Sequence, residues 1–376
     1  MRFLAICTFA ICLASSANTE ISTNSNKPIR EARYLMGTVC EITVYPLRGQ
    51  TSGREAIAAA FAELRRVDYL LSNWKLDSEL MRANATASAV GEPRPRATLS
   101  DELFDRVELA LHLADLTKGL FDPTVAPLVR AWGFLPNCAQ SPCEANVSRD
   151  RAVAEARRKV GWPNVHLYPR TRELEFSVSG MELDMGGVAK GYAAERAAQI
   201  LKDHGIAAAM VNLGSSSLKS IGMPPVFSGC PEVEGDRCAF WPVQISDPRD
   251  RHLRAATVFL RAGYGVATSG TYEKKLGKRA KNGSHLIDPA TGQAVKGQIS
   301  VTVIAPDAEV ADALAKPFII QPTKTEKYGQ KLVQTYPYLG VLTLAAERGK
   351  LLTKSFGLKH VQNFTAATPT YLSAPP

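Results

Sequence analysis

The pattern of apolar and polar positions divides the chain into strands and helices of ordinary length. Residues 38–45, Thr-Val-Cys-Glu-Ile-Thr-Val-Tyr, alternate with period two, as a strand with one covered face does. The period then changes: Ile57, Ala60, Phe61, Leu64, Val67 and Leu71 fall on one helical stripe within residues 54–71. Ser100 is placed to cap a second helix, with Asp101 and Glu102 in its first turn. Phe104, Val107, Leu111 and Ala114 continue that helix and Gly119 ends it. Residues 164–178 read as a hairpin around Pro169-Arg170-Thr171. A helix is expected from about 188 to 204, stopped by Gly205. Strands are expected at 208–213, 241–246, 255–260 and 299–304, a short helix from near Glu309, and a last strand over 338–344. Residues 83–98 are small, polar and Pro-bearing and read as loop, 135–148 are a Pro/Cys insertion, and the tail beyond 360 carries little pattern. There is no internal repeat. The irregular alternation points to an α+β or mixed α/β class, taken as a single elaborated α+β domain of mixed or antiparallel sheets with packed helices.

The two ends change this picture. Arg2 followed by the apolar residues 3–14, with Ser15 and Ala17 as a small-x-small site, reads as a signal peptide over residues 1–17. That run is too short for a normal membrane span, and no later stretch approaches the length of one. Phe9-Ala10-Ile11 before Cys12 makes a poor lipobox, so an exported, unlipidated chain is expected. Residues 18–31 read as a flexible segment, 32–350 as the folded domain and 351–376 as a C-terminal extension. Of the 376 residues 45% are hydrophobic and 22% charged, which is globular composition with length enough for a large core. The net charge of +9 is spread without a block of like charges, which argues against a nucleic-acid arm. In an oxidising compartment Cys138–Cys143 and Cys230–Cys238 are candidate disulfides that staple loops, and Cys40, in the alternating strand, reads as a buried core thiol.

Chemistry concentrates in a few segments. In Leu183-Asp184-Met185-Gly186-Gly187-Val188-Ala189-Lys190-Gly191-Tyr192 a strand end runs into a glycine pair and then a helix. Glycines allow close backbone approach, helix-start amides suit phosphate, and Lys190 adds a charge in the first turn. A plain glycine turn with a surface lysine has the same pattern. Thr268-Ser269-Gly270-Thr271-Tyr272 and Ser284-His285-Leu286-Ile287-Asp288-Pro289-Ala290-Thr291-Gly292 form a second, polar cluster. His285 has the chemistry of a general base or an orienting group, while Asp288 to Gly292 also fits an ordinary turn. No G-x-S-x-G elbow is present, which excludes the usual serine hydrolase. Asp312 and Lys316 share a helix face, either as a surface ion pair or with the carboxylate serving a hard cation such as Mg²⁺. Gly119-Leu120-Phe121-Asp122-Pro123-Thr124 and the set Met36-Gly37-Thr38, Trp74, Ser78-Glu79 and Asn84 are weak signals individually.

Together, in this order, these segments resemble the FAD:protein FMN transferase family, also called ApbE, from about residue 34 to about 345. The resemblance implies an exported α+β fold with FAD in a central cleft. It also implies Mg²⁺ at the FAD pyrophosphate and transfer of FMN to a Thr or Ser hydroxyl of an acceptor protein, leaving a phosphoester and AMP. By position it implies that Met36, Trp74, Leu120, Phe121, Asp122, Asp184, Lys190 and Leu286 line the FAD site. Gly187, Asp312 and the side chain at 316 would form the metal position, and His285 and Asp312 would carry the catalytic roles. A non-catalytic flavin-binding protein and a Mg²⁺-dependent FAD pyrophosphatase are the alternatives. The chain departs from the family pattern twice. Lys316 stands where the family usually has Thr or Asp, and an ammonium has no lone pair for a metal. Asn212-Leu213-Gly214-Ser215-Ser216 stands where the family favours Asn-Leu-Gly-Gly-Asp.

Overall fold

In chain order the elements run β1 (Ile29–Leu35), β2 (Thr38–Tyr45), α1 (Gly53–Leu71), α2 (Glu79–Ala87), β3 (Ala97–Thr98) and α3 (Asp101–Leu116). They continue with α4 (Ala126–Ala131), α5 (Arg149–Arg157), β4 (Val165–Tyr168), β5 (Glu173–Phe176), α6 (Ala189–Asp203), β6 (Ala208–Leu213) and β7 (Ser217–Ile221). Then follow β8 (Glu232–Val233), β9 (Asp236–Arg237), β10 (Phe240–Ser246), β11 (Leu253–Arg261), β12 (Gly265–Gly270), β13 (Ile299–Ala305) and α7 (Ala308–Ile320). The last are α8 (Thr325–Thr335), β14 (Gly340–Glu347), β15 (Lys350–Phe356) and β16 (Thr365–Tyr371). This computed structural model describes residues 28–45, 53–89, 93–135, 149–223, 232–233, 236–237, 240–272, 284–322, 325–357 and 365–371. The signal segment and Cys138, Cys143, Cys230 and Cys238 lie outside the described residues. Among the described residues no helix is long and apolar enough to cross a membrane.

Eight strands pair antiparallel in the order β1-β2-β6-β7-β12-β13-β14-β15. Because side chains alternate along a strand, this sheet has two apolar faces to bury. Cys40, Ile42, Val44, Ala209, Val211, Val301 and Val303 point to the face covered by α1, α6 and α7. Ala208, Leu218, Val266, Ile304 and Leu344 point the other way, onto Trp241, Val243, Ile245, Val258 and Leu260 of a second sheet, β10-β11-β16. The sheet is therefore the middle layer of three. The Cys40 thiol is buried as expected, donates to the Leu35 carbonyl, and is pushed up to about 11 by burial.

Most of the expected elements form, and the exceptions have physical causes. Residues 83–98 were expected to be loop, yet α2 covers Glu79–Ala87. Ser78 caps it, and Leu80, Met81, Ala83 and Asn84 are buried, so tertiary packing holds a helix that small polar residues disguise. The segment read as flexible to residue 31 already pairs from Ile29, against Val44. β7 and β12 went unpredicted because both are fully buried and rich in Ser, Thr and Lys, which hides the alternation. Lys219 in β7 is tolerated at 5% exposure because it donates to the Pro306 carbonyl and pairs with Glu195. The tail with little pattern supplies β16, the third strand of the smaller sheet.

α6 and α7 cross at Gly191. A Cβ there would lie 2.2 Å from the Ala308 carbonyl oxygen and 2.6 Å from Glu309 Cα, so only glycine permits this approach. Gly191→Ala should lower stability by about 1–3 kcal/mol through overpacking against backbone. A chemical denaturation curve with an unchanged midpoint would contradict so close a crossing.

Candidate active site

One cleft of about 2260 Å³ opens where the turns at one end of the large sheet meet the start of α6. Met36, Trp74, Leu120, Phe121, Asp122, Asp184, Gly187, Lys190, His285, Leu286, Asp312 and Lys316 all line it. Residues drawn from across the sequence thus converge on a single cavity. Met36 and Gly37 form the two-residue β1–β2 turn with φ of 52° and 72°, the positive values that such hairpins require. A methionine in that conformation is uncommon, and it places an apolar side chain on the cleft wall. Trp74, 60% exposed, stands at the rim.

The glycine turn before α6 is held by side chains far away in sequence. Buried Asn84 accepts from the Leu183 amide at 2.8 Å and donates to the Leu183 carbonyl at 2.9 Å, pairing with that backbone as a neighbouring strand would. Asn73 donates to the same carbonyl at 2.8 Å. Asp184 accepts from the Gly186 amide at 2.7 Å, which bends the chain into the glycines. At Gly187 a Cβ would sit 2.7 Å from the Phe121 ring, so glycine is required for the turn to lie on that ring. Ser78 and Glu79, singled out with Asn84, are also scaffolding: Ser78 caps α2, and Glu79 accepts from the Ser100 amide and hydroxyl.

Asp122 lines the cleft, but its carboxylate is engaged by its own loop and by the Trp162 amide. It accepts from the Thr124 amide at 2.8 Å, the Thr124 hydroxyl at 2.6 Å and the Trp162 amide at 3.2 Å. Burial pushes this carboxyl above the usual range, and those three donors act against the shift. Its part in the site is to fix the loop that presents Leu120 and Phe121. Asp288 likewise resolves to a turn, accepting from the Ala290 amide and the Thr291 hydroxyl. His285 is half-buried, its ring edge-on to Phe134 at 6.3 Å between centroids. Leu286 beside it is buried and pinned through its amide to Ser284 Oγ and through its carbonyl to Val295.

Asp312 is the pivot. Val188 at the α6 N-cap offers no capping side chain, and Asp312 reaches across from α7 to accept from the Gly191 amide at 3.1 Å. The same oxygen accepts from Ser217 Oγ at 3.2 Å, while Oδ1 accepts from Lys316 Nζ. Ser217 is a contributor that sequence reasoning missed: it follows directly on the Asn212–Ser216 segment with no spacing signal of its own. The ion pair is no surface feature: the two side chains are 3% and 14% exposed.

Lys316 corrects one expectation. Its ammonium also donates to the Gly187 carbonyl at 3.1 Å and the Asp312 carbonyl at 2.6 Å, so it stands among the oxygens that the resemblance assigns to a metal. The donor set therefore does not fit Mg²⁺. An ammonium has no lone pair to give, and it repels a dication. Gly187, Asp312 and Lys316 do come together, with the lysine as the cation and not as a ligand to one.

The ApbE family matches residues 36–339 of this chain. An FAD:protein FMN transferase of Klebsiella pneumoniae is 33% identical over 79% of this chain and 79% of its own length. One of Salmonella typhimurium is 31% identical over 82% of this chain and 83% of its own. The crystal structure of an ApbE protein from Thermotoga maritima superposes with a TM-score of 0.72, covering 88% of this chain and 97% of that one at 26% identity. With an antiparallel α+β fold, a cleft at the expected segments and a family match across four fifths of its length, the chain belongs to the ApbE family.

Proposed function

We propose that this chain is an FAD:protein FMN transferase. In this reading it holds FAD in the cleft and moves the FMN half onto a Ser or Thr hydroxyl of an acceptor protein. The observation that carries the reading is the meeting, on one cleft wall, of the Gly186-Gly187 turn, the start of α6, Lys190 and Lys316. A helix start with cations beside it suits a diphosphate. The apolar surfaces of Met36, Trp74, Leu120, Phe121 and Leu286 on the same cleft suit a flavin ring.

The chemistry asks the protein mainly for position and charge. The acceptor oxygen bonds to the phosphorus of the FMN half, the bond from that phosphorus to the bridging oxygen breaks, and AMP leaves with the bridging oxygen. Lys190, with the partial positive charge at the start of α6, holds the diphosphate and takes up the charge that grows on the departing AMP. His285, which lines the same cleft, receives the hydroxyl proton in this reading. The Asp312 carboxylate is already engaged by Gly191, Ser217 and Lys316, so its role is to hold those groups.

We also propose that residues 1–17 direct export, so that the mature chain works in the periplasm. Mass spectrometry of chain recovered from the periplasm should then give a start near residue 18, and a start at Met1 there would refute cleavage.

Incubating the pure chain with FAD and a Ser/Thr-bearing acceptor should give acceptor that keeps flavin after denaturation. Release of free FMN and AMP without labelled acceptor would instead identify a pyrophosphatase. Intact bound FAD alone would identify a flavin carrier. His285→Asn should slow transfer by about 10²–10⁴-fold, the usual scale of general base catalysis. Flavin fluorescence titration should find its FAD affinity within about threefold of the parent. Unchanged transfer would remove His285 from the mechanism.

A further inference from the structure

We propose that Lys316 is a tethered monovalent cation that takes the place of a divalent metal at the pyrophosphate, so that this transferase holds its substrate without Mg²⁺. The proposal rests on the flavin transferase reading of the cleft. Three observations carry it.

The first is where the ammonium sits. Lys316 Nζ touches the Gly187 carbonyl at 3.1 Å, the Asp312 carbonyl at 2.6 Å and the Asp312 carboxylate. A carboxylate oxygen with backbone carbonyls is the kind of cage a hard cation occupies. Here the cage is closed around a nitrogen that belongs to the chain.

The second is that the lysine is built in. It lies one helical turn from Asp312 on α7, its side chain is 14% exposed, and its stem packs by the glycine turn, with Cε 3.7 Å from where a Gly187 Cβ would be. A side chain held by packing and three acceptors is not a surface lysine that swings aside for a metal.

The third is charge. Asp312 is 2% exposed and needs a positive partner. With Lys316 the pair is neutral, so a dication would meet no net negative charge there. Lys190 and the start of α6 then supply the remaining positive potential toward the diphosphate. Lys316, with its three N–H groups engaged, acts on the substrate as a point charge more than as a hydrogen-bond donor. The cation can neither dissociate nor be chelated away, so substrate binding is independent of the free-metal level.

The test uses the full mature chain and two readouts that need no turnover. In the first, Mn²⁺ is titrated against flavin-free protein and the free-ion electron paramagnetic resonance signal is read. The parent should leave that signal undiminished, and Lys316→Asp should withdraw one equivalent. Withdrawal of one equivalent by the parent, abolished by Asp312→Asn, would overturn the proposal. In the second, FAD affinity is measured in EDTA and in Mg²⁺. The parent should bind equally in both, within about twofold. Lys316→Met, which keeps the stem and removes the charge, should bind about tenfold or more weakly in both, with its circular dichroism and melting curve confirming a folded chain. A parent that loses FAD in EDTA, or a Lys316→Met chain that binds as the parent does, would also overturn it. A parent that binds FAD without metal yet labels no acceptor would sink the transferase reading and leave the role of Lys316 standing. A parent that binds FAD in neither buffer would overturn both the flavin reading and the place given to Lys316 at the diphosphate.

Discussion

The cleft depends on one close approach, that of α6 to α7 at Gly191. With no side chain there, the two backbones come near enough for an acid on α7 to cap the start of α6. A helix start carries unsatisfied amides and a partial positive charge, and a carboxylate placed there meets both needs. Asp312 thereby joins three pieces of the chain: the α6 start, the β7 hydroxyl of Ser217 and the lysine one turn along its own helix. Because Lys316 reaches on to Gly187, the glycine turn is tied into the same junction. Movement of any one of these pieces would move the others.

Around this junction the fold buries charge in compensated pairs. Glu309, 1% exposed, faces Arg106, and Glu195 faces Lys219. Burial pushes the Glu309 carboxyl up to about 8, with Arg106 opposing, and raises Glu195 above its usual range, with Lys219 opposing. Such pairs add little net stability compared with apolar packing, but removing one partner is costly. Their effect is to fix how α3, α6, α7 and β7 lie against one another. The apolar half of the cleft is fixed differently, by turns: Met36 by a positive-φ hairpin and Phe121 by the Asp122 loop.

Elements with a clean period could be read directly from the chain. β2, α1, α3, α6 and the β4–β5 hairpin announce themselves through apolar spacing, caps and glycine stops. The glycine turn, Lys190, His285, Asp312 and Lys316 were recognisable as residues of chemical interest, and the order of their motifs pointed to the family. What the chain did not disclose were the residues that act through tertiary contact. Asn73 follows α1 with nothing to mark it and Asn84 stood out only as a weak signal; only the fold reveals that both grip the Leu183 backbone. Ser217 lies in a strand whose buried polar side chains look like loop composition. For Asp122 the resemblance implied a place on the FAD site, and sequence carries no information on which donors surround its carboxylate.

The strand β16 has a consequence for how the molecule is assembled. β10 and β11 lie more than a hundred residues before the segment that completes their sheet. A chain that emerges from its N-terminus can finish the large sheet and its helical cover while the backbone groups along one side of β11 still lack a partner. Such an open edge accepts any extended segment, including the same stretch of a neighbouring copy. Closure of β11 by its own chain therefore waits on residues 365–371.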